Sequence, residues 1–181
     1  SYVDALLLAV YPQLAIRVVN KGISGNTVRH LKNRWQEDVI HQAPDWLAIM
    51  IGINDVWRQY DTPFIKEEHV YIDEYEETLR QLVKETKPFI KGLVLMTPFY
   101  LENNEQDPMR QTMDQYGEVV RKIAEEYDCF FVDTQAAFKE VLNNLYPAAL
   151  AWDRVHPSAA GHMVLARAFL KEIGYNWRGR N

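Results

Sequence analysis

The residues best suited to chemistry in this 181-residue chain fall in three short polar stretches. Asp153-Arg-Val-His156-Pro157 sets a carboxylate three positions before an imidazole, and on one turn that spacing lets the aspartate orient the ring as a general base. Gly52-Ile-Asn54-Asp55 follows an apolar run, where a side-chain amide could donate a hydrogen bond to a developing oxyanion. In Asn20-Lys-Gly-Ile-Ser-Gly25-Asn-Thr27, glycines permit close backbone approach, and N–H groups face the start of a helix. Each stretch also has a plainer reading. Thr27 suits a helix N-cap after a tight turn, asparagine is an ordinary turn former, and Asp153 could cap the last helix beside an incidental histidine.

The sequence carries its own control for the carboxylate–imidazole pattern. Asp38-Val-Ile-His41 repeats the carboxylate–imidazole spacing, but beside Trp35 and Val39 it reads as the solvated face of an amphipathic helix. The Asp153 copy has Trp152 before it, Pro157 after it and a helix start at Ser158, so it belongs to an ordered loop.

The elements that must position these residues follow from apolar spacing. Val3, Leu6, Leu7 and Val10 predict an opening helix with no N-terminal cap, and residues 16–19 form a short β-rich run. Val28, Leu31, Trp35 and Val39 mark a second helix, and residues 46–51 read as a strand buried on both faces, followed by a Gly-Ile-Asn-Asp loop. Tyr75, Leu79, Leu82 and Val83 mark the next helix; then come a strand at 92–96, a helix at 113–127, a strand at 130–133 and a closing helix at 159–173. Such alternation needs crossover connections, which give a parallel sheet between helix layers. Irregular stretches at 58–70, 97–108 and 146–157 are expected at the carboxyl ends of the strands, where α/β sheets bind ligands.

Composition narrows the rest. With 48% hydrophobic residues the chain can bury one core, so a single domain over 1–181 is expected. A net charge of −5 without a basic stripe argues against nucleic acid. The longest apolar runs fall far short of the roughly 20 residues of a membrane span, so no membrane partner is expected. The single cysteine, Cys129, reads as a buried thiol, and the cytoplasm is the expected compartment. His69 and His162 lack a metal-ligand set around them and read as surface or capping residues.

Taken in order, Asn-x-x-x-Ser-Gly-x-Thr, Gly-x-Asn-Asp and Asp-x-x-His-Pro resemble blocks two, three and five of the SGNH hydrolases, also called GDSL esterases, over essentially the whole chain. RVVNKGISGNTVR, MIGINDVWRQYD, LMTPFY and LAWDRVHPSAAGHM look like the intracellular acetyl-xylooligosaccharide esterases. The resemblance implies a three-layer α/β/α sandwich on a mainly parallel, flavodoxin-like sheet. It implies Asp153 and His156 as catalytic residues, Gly25 and Asn54 as the oxyanion hole, a small acetylated carbohydrate as substrate, no cofactor or metal, and a homo-oligomer. Trp57, Arg58, Tyr100, Tyr146 and Trp152 fall on rim loops, where aromatic faces could stack on a sugar ring; the plainer reading makes them core or subunit-contact residues.

In one respect the sequence departs from the family. Gly-Asp-Ser, the nucleophile block that ends the family's first strand, does not occur, and none of Ser1, Ser24 and Ser158 sits in a strand-to-helix nucleophile turn. An N-terminally truncated domain is therefore expected, lacking a central strand and almost inert. Either a preceding segment completes it, or a gap or exposed edge separates 16–19 from 46–51. Two other readings stand beside the acetyl esterase. One is a lysophospholipase- or thioesterase-like hydrolase, disfavoured by the polar rim; the other is a non-catalytic carbohydrate-binding protein, which would have no need of an oxyanion hole and a base together.

Overall fold

The structure, a computed structural model, describes residues 1–178. Three parallel strands form the sheet in chain order: β1 (Trp46–Met50), β2 (Gly92–Met96) and β3 (Phe130–Val132). Trp46 stands opposite Gly92, and Val94 opposite Phe130. The helices are α1 (Tyr2–Val10), α2 (Val28–Trp35), α3 (Ile53–Asp61), α4 (Ile72–Thr86), α5 (Pro108–Glu126), α6 (Thr134–Leu142), α7 (Pro147–Leu150) and α8 (Ala159–Glu172).

Side-chain alternation along β2 divides the core in two. Leu93 and Leu95 point into a cluster with Ile49 of β1, Tyr75 and Leu79 of α4, and Met113 and Tyr116 of α5. Val94 and Met96 point the other way, to Val132 and the Phe169 side of α8. β2 is buried along its whole length, as its unbroken apolar run requires of a central parallel strand. α1 closes the second layer through Leu7 against Leu170. The expected α/β/α sandwich is therefore formed.

Several expectations need correction. Residues 16–19 form no strand, and Val19 is 52% exposed; β-branched residues hold strand form through a ladder partner, and none lies beside them among the described residues. β1 is buried on one face only. Ile49 enters the core, while Trp46, Ala48 and Met50 are exposed. Its far edge has no ladder among the described residues, which is the exposed edge expected between 16–19 and 46–51. Trp46 folds across the sheet face over Gly92 to pack on Phe130, ring centroids 5.2 Å apart. The opening helix does have a cap, since Ser1 Oγ accepts from the Asp4 N–H at 3.2 Å. Helix α6, which the spacing did not announce, is started by Asp133, whose carboxylate accepts from the Ala136 N–H at 2.8 Å.

The sandwich rests on β2. Leu95→Ala is expected to cost about 2–5 kcal/mol, the range for a fully buried leucine, measured by urea unfolding. A cost below about 1 kcal/mol would mean that the two layers do not depend on this strand.

Candidate active site

The three polar stretches meet at one rim of the sheet. After β1 the chain turns at Gly52, whose φ of 126° belongs to glycine and whose Cβ, if present, would lie 2.9 Å from Tyr75 Oη and 3.0 Å from Pro98 Cγ. That tight turn starts α3 at once, so Asn54 and Asp55 occupy the first helical turn rather than a loop. Gly25, at φ 79°, sits in the exposed turn before α2, where Thr27 is the N-cap and His30 Nδ1 accepts from the Thr27 N–H at 3.1 Å. Asn54 joins the two stretches, its Nδ2 donating to the Asn26 carbonyl at 3.0 Å.

The third stretch is a turn held by its own aspartate. Asp153 Oδ1 accepts from the Val155 and His156 N–H groups at 3.0 and 2.8 Å, and Oδ2 stands 2.7 Å from His156 Nδ1. Arg154 takes φ 67° to allow this. The turn is braced from the β2–α5 connection, where the Leu101 N–H donates to the Arg154 carbonyl at 3.0 Å and Glu102 pairs with the Arg154 guanidinium. Pro157 and Ser158 then lead into α8, with Ser158 capping it.

Two aspartates here differ by environment. Partial desolvation raises the Asp153 carboxyl, but bonds from the His156 and Val155 N–H groups and from the imidazole outweigh it and bring it down to about 2. It stays ionised, and a carboxylate 2.7 Å away favours the tautomer with the proton on Nδ1, which leaves the Nε2 lone pair free. Burial instead pushes Asp55 up to about 7, against the N–H groups of Val28 and of Asp55 itself, which pull it down.

The control pattern behaves as a control. Asp38 bonds to Arg34 at 2.5 Å and to Lys21 at 3.3 Å, while His41 faces Glu37 at 3.2 Å. The helix that carries them is interrupted after Trp35 by a π-helical turn, Gln36–Ile40.

The aromatic candidates separate. Trp57 lies one helical turn after Asn54 and meets the His156 ring edge to face, centroids 5.3 Å apart. Arg58 lies over Trp57 and pairs with Asp61 at 2.6 Å. Tyr146 and Trp152 are open, 86% and 82% exposed. Tyr100 takes the core reading rather than that of a stacking platform, because it is 6% exposed and the Arg154 guanidinium covers its ring. His69 is corrected: it is buried between the Thr62 carbonyl at 3.0 Å and Tyr71 Oη at 3.2 Å. Cys129 is half-buried, and burial pushes its thiol up. Sequence reasoning gave no role to Asp55 or to the Leu101–Glu102 brace. The one signal for Asp55 was a second polar residue directly behind a buried strand.

An imidazole oriented by a carboxylate at the rim of a parallel sheet is an arrangement suited to acyl transfer. The family model described as GDSL-like Lipase/Acylhydrolase family matches residues 2–164, and the chain belongs to that family. It is 76% identical over 177 residues to an acetylxylan esterase of Geobacillus stearothermophilus, covering 98% of this chain and 81% of that protein. The crystal structure of that organism's acetylxylan esterase superposes with a TM-score of 0.97 at 76% identity, over 99% of this chain and 82% of its own. An α/β-hydrolase enzyme from the metagenome of Lake Arreo, Spain, matches at 50% identity and a TM-score of 0.95, over 96% and 80% of the two chains. Other structures of the Geobacillus enzyme are catalytic mutants in which a serine, an aspartate or a histidine is replaced. Among the described residues of the present chain, no helix is long and apolar enough to cross a membrane.

The buried carboxyl has a consequence for stability. Its folded value of about 7 lies above the ordinary 3.8, so folding binds a proton between the two. The associated stability is full below about pH 4 and is lost as pH climbs through about 7. Asp55→Asn, with no charge to bury, is expected to flatten the dependence of Tm on pH over that window. Parallel Tm curves for the variant and the parent would show that Asp55 keeps an ordinary carboxyl.

Proposed function

We propose that this chain supplies the oxyanion-binding and proton-transfer residues of a serine esterase that removes acetyl groups from xylooligosaccharides or similar small acetylated sugars. The observation that carries the reading is the 2.7 Å contact of Asp153 with His156 at the sheet rim, with Trp57 of α3 against the same ring. Family membership and the likeness to the acetylxylan esterase support it. So do that relative's catalytic mutants, whose replaced aspartate and histidine have the spacing of Asp153 and His156. The replaced serine lies further ahead of its aspartate than all the residues preceding Asp153 here. This supports a nucleophile carried outside residues 1–181, on a Gly-Asp-Ser segment of the same single domain.

In this reading the serine hydroxyl attacks the acetyl carbonyl while His156 Nε2 takes its proton; Asp153 holds the imidazole and stabilises the cation that forms. The Gly25 N–H, the Asn54 amide and the serine's own N–H receive the oxyanion. His156 then protonates the departing sugar oxygen, and water, deprotonated by the same nitrogen, releases acetate. No step calls for a metal or cofactor. Trp57, Arg58, Tyr146 and Trp152 are the proposed sugar-facing residues, and the exposure of the last two also suits contact with a second subunit of a cytoplasmic homo-oligomer. Without the serine, residues 1–181 are expected to be almost inert.

In the full-length enzyme, His156→Ala is expected to lower kcat by about 10⁴-fold or more, whereas His41→Ala leaves acetate release from acetylated xylooligosaccharides nearly unchanged. Equal losses in folded protein would take the role of base away from His156. Acetyl esters are expected to turn over faster than octanoyl esters, and the reverse order would favour a lipase-like activity. An active 181-residue chain would make Ser24 the first serine to replace.

A further inference from the structure

Asn54 and Asp55 are consecutive residues of α3, and both hold the backbone of residues 26–28. Asn54 Nδ2 donates to the Asn26 carbonyl at 3.0 Å, and Asp55 Oδ1 accepts from the Val28 N–H at 3.0 Å. Asp55 and Val28 are wholly buried, so water does not compete for the second bond. Asp55 Oδ2 is buried without a hydrogen-bond partner. The groups that face the carboxyl are Arg29 of α2, Glu74 and Tyr75 of α4, and Tyr116 of α5. None of them reaches Oδ2: Arg29 is engaged with Glu74, Tyr75 donates to the Ile51 carbonyl, and Tyr116 donates to the Val70 carbonyl. Packing alone does not call for such a group, since a neutral side chain of similar size avoids the cost of burying a carboxylate.

We propose that Asp55 is a positioning residue for the oxyanion site: together with Asn54 it clasps residues 26–28 against α3, and so sets the direction of the Gly25 N–H and of the second Asn54 N–H. Gly25 is exposed, and a Cβ added there would meet nothing within 4 Å, so side-chain packing does not hold it; Arg34, bonded to the Lys21 carbonyl and Asn26 Oδ1, and the Asn26 N–H to Ile23 carbonyl bond hold the loop on one side, and the anchored residues 26–28 set its orientation on the other. Asn54 has two amide protons and spends one on Asn26, which fixes the plane in which the other points. Misplacing such a donor by about 1 Å costs on the order of 10²-fold in rate. The inference deepens the esterase reading and rests on it for its kinetic arm.

The test uses the full-length enzyme, an acetyl ester and two substitutions. Asp55→Ala is expected to lower kcat by about 10²-fold, with KM within about threefold, the split expected when transition-state donors are lost and substrate binding is kept. Asp55→Asn retains an oxygen for the Val28 N–H and is expected to recover kcat to within about tenfold of the parent. Folded Asp55→Ala with parental kcat, or Asp55→Asn as impaired as Asp55→Ala, overturns the proposal. A second measurement stands apart from folding of the variants and from esterase activity. In isotopically labelled parent protein, the Val28 amide should shift with pH in step with the Asp55 carboxyl carbon, and a Val28 amide blind to that titration overturns the clasp. Loss of the His156 role with the Val28 titration intact would sink the esterase reading alone.

Discussion

The parallel ladder through β2 is the constraint on which the rest depends. Parallel strands cannot be joined by hairpins, so each connection crosses the sheet and every strand ends at the same rim. The turn at Gly52 and the loop from Thr97 to Leu101 therefore lie side by side although about forty-five residues of chain separate them. The hydrogen bond from the Leu101 N–H to the Arg154 carbonyl then ties the histidine turn to that rim. The two apolar faces of β2 hold the frame in place, one against α4 and α5, the other against α8.

Within that frame, α3 does three things along about one turn. Asn54 binds the Asn26 carbonyl, Asp55 binds the Val28 N–H, and Trp57 touches the His156 ring. Gly52 is what brings this helix to the rim without an intervening loop, because only a residue without Cβ fits between Tyr75 and Pro98 at that φ. The helix thus links the turn before α2 to the turn before α8, two segments more than a hundred residues apart that share no element.

The two aspartates show how environment decides role. Asp153 is near solvent and accepts three hydrogen bonds, so its charge is favoured and is available to hold an imidazole. Asp55 has one long-range donor and is wholly buried, so its charge is disfavoured. A carboxylate near the surface tolerates change in its neighbours, whereas a buried one makes folding itself sensitive to pH.

Much of this was legible in the amino-acid order. Strand–helix alternation announced a layered parallel sheet, since apolar period and run length are local properties of the chain. The Asp153–His156 spacing was readable for the same reason: a turn of four residues brings its own ends together. The contrast with Asp38 and His41 held because a helix that offers arginine and glutamate nearby satisfies both residues separately. What tertiary structure alone decided were matters of partnership. Residues 16–19 have strand composition but no ladder beside them, and β1, apolar throughout, is covered on one face only, because coverage depends on which elements pack there. Tyr100, Asp55 and Trp57 acquired their surroundings from segments distant in sequence, Arg154, Val28 and His156 respectively, and no local period encodes those meetings.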